Sequence, residues 1–170
     1  PPGPFGYETM MNRRHFLAIS SAAALTGCAS MRPEGLYGRL IVLRHADRTF
    51  SPLNEAGVAR AAMLPEALAD LPIDAIWCTP RQRNIDTVTP LAKARGLPIH
   101  TRTALGAGTD LLTRYPGQTV VWAGNQENLG FLYLELGIPG KPPVQFGEIE
   151  VVTLPRGGGN AIVQERHYGA

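Results

Sequence analysis

The sequence predicts a three-layer α/β/α domain built on a mostly parallel sheet with an antiparallel edge. Three observations support this prediction. Short apolar, β-branched segments alternate with longer segments that carry helix start and stop signals, polar side chains follow directly after the apolar segments, and two further strand-like runs flank Gly157-Gly158-Gly159. The alternation implies βαβ units, which pair their strands in parallel. With 44% hydrophobic and 18% charged residues, the chain has the composition of a globular protein.

The predicted strands are short, as expected for a buried parallel sheet. They cover residues 39–43, 73–78, 98–101 and 118–123, followed by a C-terminal hairpin over residues 148–154 and 160–165. We expect the hairpin at the edge of the sheet, because its glycine-rich turn suits an antiparallel connection.

Four helices are predicted between these strands, over residues 54–70, 79–95, 110–115 and 126–137. Asn54 is a suitable N-cap for the first helix, and Pro65 should kink it or start a new turn. Thr79-Pro80 is a suitable N-cap and first-turn pair for the second helix, and Gly96 should end it. The apolar face expected for the first helix consists of Ala56, Ala61, Ala62, Leu64 and Leu68.

The N-terminal residues 1–35 are predicted to be an extension and an export signal, which leaves residues 36–170 as the folded domain. Arg13-Arg14 precede the apolar run Leu17–Leu25, as in a twin-arginine signal. The run closes in Leu25-Thr26-Gly27-Cys28, which resembles a bacterial lipoprotein motif in which the cysteine is lipidated. We therefore expect an exported protein, periplasmic or anchored to a membrane through lipid on Cys28. The alternative is that this stretch is a first helix of the domain, with Cys28 buried.

Composition and spacing exclude two other classes of partner. The formal net charge is only +2, and no basic stripe is interleaved with aromatic residues, so nucleic acid is not expected as a partner. No cluster of His, Cys, Asp or Glu has the spacing of metal ligands, so neither a metal nor another cofactor is predicted.

The candidate active-site residues all fall just beyond predicted strands. Arg44 and His45 follow the first strand, Arg83 lies early in the helix after the second, and Asn125 follows the fourth. Because ligands bind at the carboxyl ends of parallel strands, these residues are expected to converge. Paired guanidinium groups bind phosphate oxygens in a bidentate way, and a neutral imidazole can attack phosphorus. The pattern therefore predicts a phosphate site at this edge.

Three segments resemble the histidine phosphatase (phosphoglycerate mutase-like) superfamily in order and spacing. They are Leu43-Arg44-His45-Ala46, residues 79–87 with their Pro-x-x-Arg-x-x-x-Thr pattern, and Gly124-Asn125. The resemblance covers nearly all of residues 38–137 and implies the phosphoglycerate mutase-like fold. It further implies that His45 is the nucleophile and becomes phosphorylated, and that Arg44 and Arg83 bind the phosphate. By size, the chain is similar to small phosphohistidine phosphatase-like members.

Other positions of the site either resemble one branch of the superfamily or depart from its pattern. Arg48 resembles an additional phosphate-binding arginine of the acid phosphatase branch. Active members usually have Gly-His where this chain has Gly124-Asn125, so Asn125 is expected to replace the second histidine as a neutral phosphate ligand. Asp47, Asp86, Asp110 and Glu127 are the carboxylates expected near the mouth of the site, and none matches the family's general acid.

Two functions follow from these residues. The first is an exported hydrolase of phosphomonoesters or phosphoramidates, acting on a small phosphorylated substrate or a phosphoprotein through a phosphohistidine intermediate. The second is a catalytically degenerate lipoprotein that binds a phosphate-bearing ligand or a protein partner.

Arg81 is predicted to lie on a solvated helix face, and His100 and His167 are predicted to be exposed and outside the site.

Overall fold

The computed structural model describes residues 33–169 as a six-stranded sheet with two helices on each face. The strands are β1 (Gly38–Arg44), β2 (Ala75–Cys78), β3 (Ile99–Thr101), β4 (Thr119–Gly124), β5 (Glu148–Leu154) and β6 (Ile162–His167). The helices are α1 (Glu55–Ala67), α2 (Gln82–Arg95), α3 (Ala107–Arg114) and α4 (Gln126–Leu136). The segment predicted to be the export signal lies almost wholly outside the described residues, so the division of the chain at residue 35 stays a prediction.

The strands are ordered β3-β2-β4-β1-β5-β6 across the sheet. The first four strands run parallel, and β5 pairs antiparallel with β1 and with β6. The predicted fold is thereby confirmed, including the antiparallel hairpin at one edge. Strand β4 lies between β1 and β2, so the residues that follow these three strands are neighbours in space.

Alternating side chains of the central strands fill two separate cores. Leu40 and Val42 of β1 pack towards α3 and α4, whereas Ile41 and Leu43 pack towards α1 and α2. All four are fully buried. A strand buried on both faces needs continuous apolar residues, which explains why β1 and β4 read as unbroken apolar runs in the sequence.

Several helix boundaries differ from the prediction. Helix α2 begins at Gln82, with Arg81 as N-cap, so Thr79-Pro80 precedes the helix instead of starting it. The Thr79 hydroxyl accepts from the buried Asn84 amide and is therefore not a helix cap. Helix α1 ends at Ala67 and contains Pro65 in its last turn, where the proline does not divide the helix.

The predicted apolar face of α1 is only partly correct. Ala61, Leu64 and Leu68 are buried, but Ala56 and Ala62 are exposed. The hairpin's second strand also begins later than expected, at Ile162. Between residues 33 and 169, no helix combines the length and the apolar character that crossing a membrane requires.

Candidate active site

The candidate site forms where β1, β2 and β4 end side by side. Beyond the last ladder pairs, the backbone N–H of His45 donates to the Gly124 carbonyl at 3.0 Å, and that of Thr79 donates to the Ala123 carbonyl at 3.1 Å. These two bonds fix the first residues after β1 and β2 against the end of β4. The structure therefore brings together the strand ends on which the sequence placed its candidate residues.

His45 is held in a defined orientation. Its ring is buried, and its Nδ1 lies 2.8 Å from the carbonyl oxygen of Ala46. A carbonyl oxygen only accepts hydrogen bonds, so Nδ1 carries the proton of the neutral ring and Nε2 keeps its lone pair. This is the tautomer that a nucleophilic histidine needs.

The environment of His45 keeps the ring neutral. Burial is the largest effect and lowers its pKa from 6.5 to about 4, against the opposing effect of the Ala46 hydrogen bond. The positive charges of Arg44, Arg83 and Arg48 lower the pKa further. Near neutral pH the ring is therefore an uncharged nucleophile surrounded by positive charge.

The backbone after His45 is fastened to α2 and α1. The Ala46 N–H donates to the Thr87 hydroxyl at 2.9 Å, and that hydroxyl donates to the Arg83 carbonyl at 2.7 Å. On the other side, a side chain at Gly57 would put its Cβ 2.1 Å from the Asp47 carbonyl oxygen. Only glycine allows the first turn of α1 to approach the segment this closely.

Arg83 and Asn125 form the buried centre of the site. The Arg83 Nε donates to the Asn125 Oδ1 at 2.9 Å, and the Asn125 Nδ2 donates to the Thr79 hydroxyl at 3.2 Å. The sequence placed Arg83 and Asn125 in one site, and they lie in direct contact. Whether Asn125 also touches a bound phosphate stays a prediction.

Arg44 is positioned by a loop that sequence reasoning missed. Its Nη1 donates to the Val144 carbonyl at 2.7 Å, and its guanidinium lies 4.1 Å from the centroid of the Phe146 ring. The same ring lies 5.7 Å from the His45 ring. Val144 and Phe146 stand about 100 positions further along the chain and follow no recognisable motif, so no signal in the sequence pointed to them.

Arg48 lies within electrostatic reach of the other site residues. Its Nη1 donates to the Phe50 carbonyl at 2.8 Å, while its Nε is buried without a hydrogen-bond partner, as is the Nε of Arg44. Burial and then the charge of Arg48 lower the pKa of both Arg44 and Arg83. Such mutual repulsion shows three cations close together, an arrangement that favours an anionic ligand.

Of the four candidate carboxylates, two form ion pairs and a third accepts a hydrogen bond from a neighbouring amide. Asp47 pairs with Arg60, Asp110 pairs with Arg102 and Arg114, and Asp86 accepts from the Gln82 amide. Glu127 is exposed in the first turn of α4, and its charge raises the pKa of Arg44 and of Arg83. Among the four, Glu127 is therefore the carboxylate whose charge acts on both arginines.

The remaining predicted residues differ in their distance from the site, and Arg81 lies close enough to Arg83 for its charge to add to the effects of burial and Arg48 that lower the pKa of Arg83. Arg81 and His167 are exposed as expected. His100 is half-buried and stacks on Trp77 at 4.8 Å, which corrects the expectation that it is exposed. Cys28 lies outside the described residues. Within residues 33–169, no group of three or more His, Cys, Asp or Glu side chains is arranged to hold a metal ion.

The chain is similar in sequence to one protein family. The family profile described as the histidine phosphatase superfamily (branch 1) matches residues 42–106, the stretch that contains Arg44, His45, Arg48 and Arg83. No curated protein matches the sequence significantly.

Several solved structures share the fold at low sequence identity. The protein histidine phosphatase SixA in complex with tungstate has a TM-score of 0.63 and 21% identity, and the match covers 76% of this chain and 96% of that one. YhfR of Bacillus stearothermophilus has a TM-score of 0.62 and 17% identity over 74% of this chain and 95% of its own. The α-ribazole phosphatase of Shigella flexneri has a TM-score of 0.59 and 16% identity over 78% and 96%. The predicted fold is thus confirmed, and the profile match over residues 42–106 agrees with the predicted resemblance.

Proposed function

We propose that this histidine phosphatase-like chain hydrolyses a phosphomonoester or phosphoramidate through a phosphohistidine on His45. The proposal starts from the sequence similarity over residues 42–106 and from the shared fold. One observation carries the proposal. The Nδ1–H of His45 is held by the Ala46 carbonyl, so Nε2 presents a lone pair within the field of three arginines. A nucleophile and an anion site in one place are what phosphoryl transfer requires.

The reaction proceeds in two displacements. The Nε2 of His45 attacks phosphorus, the bond from phosphorus to the leaving oxygen or nitrogen breaks, and the phosphoryl group passes to His45. Arg44, Arg48 and Arg83 stabilise the charge spread over the three equatorial oxygens. Water then attacks the phosphohistidine, releasing inorganic phosphate and the neutral ring.

The leaving group takes up a proton in the first displacement. Glu127 supports that step better than the other three carboxylates, because its charge reaches Arg44 and Arg83 and it has no ion pair among the described residues. Glu127 is exposed and not buried against the reacting atoms, so substrates whose leaving groups need the least help from an acid are expected to react fastest. Phosphoramidates and aryl phosphates are of this kind.

The nucleophile can be tested directly with p-nitrophenyl phosphate. His45→Ala is expected to lower turnover by more than about 10⁴-fold, because loss of a nucleophile removes the covalent route. His167→Ala, in an exposed position, is the matched control and should keep wild-type activity. Quenching wild-type turnover at alkaline pH and searching by mass spectrometry should find phosphate on His45. Unchanged turnover in His45→Ala would sink the proposal.

The competing function is phosphate-ligand or partner binding without turnover, and Asn125 favours it by standing where active members usually have histidine. The same experiment separates the two functions. Tight binding of inorganic phosphate by folded wild-type protein, with neither turnover nor trapped phosphohistidine, would identify a binding protein instead of an enzyme.

We also propose that the protein is exported and anchored to a membrane by lipid on Cys28. Arg13-Arg14, the apolar run Leu17–Leu25 and the Leu25–Cys28 motif support this proposal. Expression of the full chain in a bacterium should give a membrane-bound form, whose intact mass corresponds to loss of residues 1–27 and a gain of acyl chains. Cys28→Ser should release the protein from the membrane fraction. An unmodified Cys28 in the mature protein would refute the anchor.

A further inference from the structure

The side chain of Asn125 has a fixed orientation in the buried centre of the site. The Arg83 Nε can only donate a hydrogen bond, so the Asn125 atom 2.9 Å away must be the oxygen. The Asn125 nitrogen is then directed to the Thr79 hydroxyl, 3.2 Å away. Asn125 is 1% exposed and Arg83 is 8% exposed, so water cannot substitute freely for these partners.

Thr79 anchors the other end of this arrangement. Its hydroxyl oxygen accepts from the amides of both Asn125 and Asn84, and its backbone N–H donates to the Ala123 carbonyl at the end of β4. Asn84 is fully buried in the first turns of α2, the helix that also carries Arg83. The network therefore connects β2, β4 and α2 with neutral side chains.

Fixing Nε fixes the plane of the whole guanidinium group, because that group is rigid and planar. Arg83 then presents its two terminal nitrogens as a pair, in the geometry that binds two phosphate oxygens. Among the described residues, no carboxylate holds Arg83 in place of Asn125. The arginine is thus oriented without its charge being neutralised.

We propose that Asn125 is a positioning residue that holds the Arg83 guanidinium for phosphate through the Arg83–Asn125–Thr79–Asn84 network. On this account, Asn125 belongs to a rebuilt site and is not a histidine lost by erosion. The inference rests on the proposed function only in taking phosphate as the ligand, and it stands for a phosphate-binding protein as well.

A double-mutant cycle between Asn125 and Arg83 tests the proposal, with inorganic phosphate as the probe in calorimetric titrations. Asn125→Leu preserves volume but removes the acceptor, and it should weaken phosphate binding about 10- to 100-fold, the effect of one hydrogen bond to a charged group. In an Arg83→Met background the same change should alter affinity less than about twofold, since no guanidinium remains to be oriented. Equal weakening in both backgrounds would overturn the proposal.

Two further variants keep the test decisive. If Asn125→Leu does not fold, Thr79→Val removes the hydroxyl that accepts from Asn125 and should show a smaller loss with the same dependence on Arg83. Tyr133→Phe removes a buried hydrogen bond to Glu150 on the other face of the sheet, so it should lower the melting temperature without changing phosphate affinity.

Turnover of p-nitrophenyl phosphate separates this inference from the proposed function. Asn125→His is expected to turn over no faster than wild type, because Arg83 and Thr79 are arranged for an amide. A tenfold or larger gain would overturn the inference while confirming an enzyme. Coupling between Asn125 and Arg83 in a protein with no turnover would instead support the inference and refute the hydrolase.

Discussion

Arg60 and Arg83 are both largely buried arginines on helices of the same face of the sheet, yet their partners differ. The Arg60 Nε lies 2.5 Å from an Asp47 carboxylate oxygen, and its Nη1 donates to the Tyr168 carbonyl. The Arg83 Nε donates to the neutral amide of Asn125. Burying a charge is costly unless it is neutralised or put to use. The fold neutralises Arg60 internally, whereas Arg83 has no carboxylate partner among residues 33–169.

The same difference extends to the surroundings of each arginine. Arg60 ties α1 to the backbone near the C terminus and to the segment after His45, so it belongs to the architecture. Arg83 lies close enough to Arg48 and Arg44 for their charges to lower its pKa. A cluster of like charges destabilises the protein by itself, and a bound anion, as proposed above, would offset that cost.

Exchanging each arginine for methionine should separate the two roles, and this is the largest effect we expect within this comparison. Arg83→Met should lower kcat/KM for p-nitrophenyl phosphate by about 10² to 10³-fold, the loss caused by removing one preorganised donor. Arg60→Met should leave kcat/KM within about threefold but lower the free energy of unfolding by roughly 1–3 kcal/mol, because it leaves Asp47 unpaired in a partly buried site.

Stabilisation by phosphate provides the control for that comparison. At 100 times its dissociation constant, phosphate should raise the free energy of unfolding by about 2.7 kcal/mol in wild type and in Arg60→Met. Most of that gain should vanish in Arg83→Met. An equal gain in both variants would show that Arg83 does not bind the ligand, and the contrast drawn between the two arginines would be wrong.

Local signals explain why the sequence predicted most of the fold. Continuous apolar runs marked β1 and β4 because both faces of these strands are covered, and Gly96 marked the end of α2 through its left-handed conformation. The start of α2 was predicted wrongly because the Thr79 hydroxyl does not cap the helix. It accepts hydrogen bonds from the amides of Asn84 and Asn125 instead. That use depends on a tertiary contact, which no local rule describes.

The features of the site also fall into two groups, those that the sequence predicted and those that depend on tertiary contacts. His45, Arg44 and Arg83 follow strand ends in a recognisable order, so their convergence was predictable from topology. The contacts of Arg44 with Val144 and Phe146 join positions about 100 residues apart and involve a backbone carbonyl and an aromatic ring that many residues could supply. The hydrogen bond between Arg83 and Asn125 could not be predicted either. Topology predicts that the two residues lie in one site, but it does not predict which of their atoms form a hydrogen bond.

The burial of His45, with the charges of the three arginines, should also make stability depend on pH, a smaller effect. The folded-state pKa of His45 is about 4, below the ordinary value of 6.5, so between these values the unfolded chain binds a proton that the folded protein does not. Stability from this group is present above pH 6.5 and is lost as the pH falls towards 4, by roughly 1–3 kcal/mol.

Denaturant titrations between pH 7 and pH 4 would measure this dependence, with His45→Asn as the variant that cannot titrate. The loss on acidification should be smaller in His45→Asn than in wild type. Arg83→Met should reduce it slightly, because one of the charges that lower the pKa of His45 is gone, whereas Arg60→Met should not. Saturating phosphate should reduce it too, since a bound anion stabilises the charged ring. An identical pH dependence in wild type and His45→Asn would mean that folding does not lower the pKa of His45.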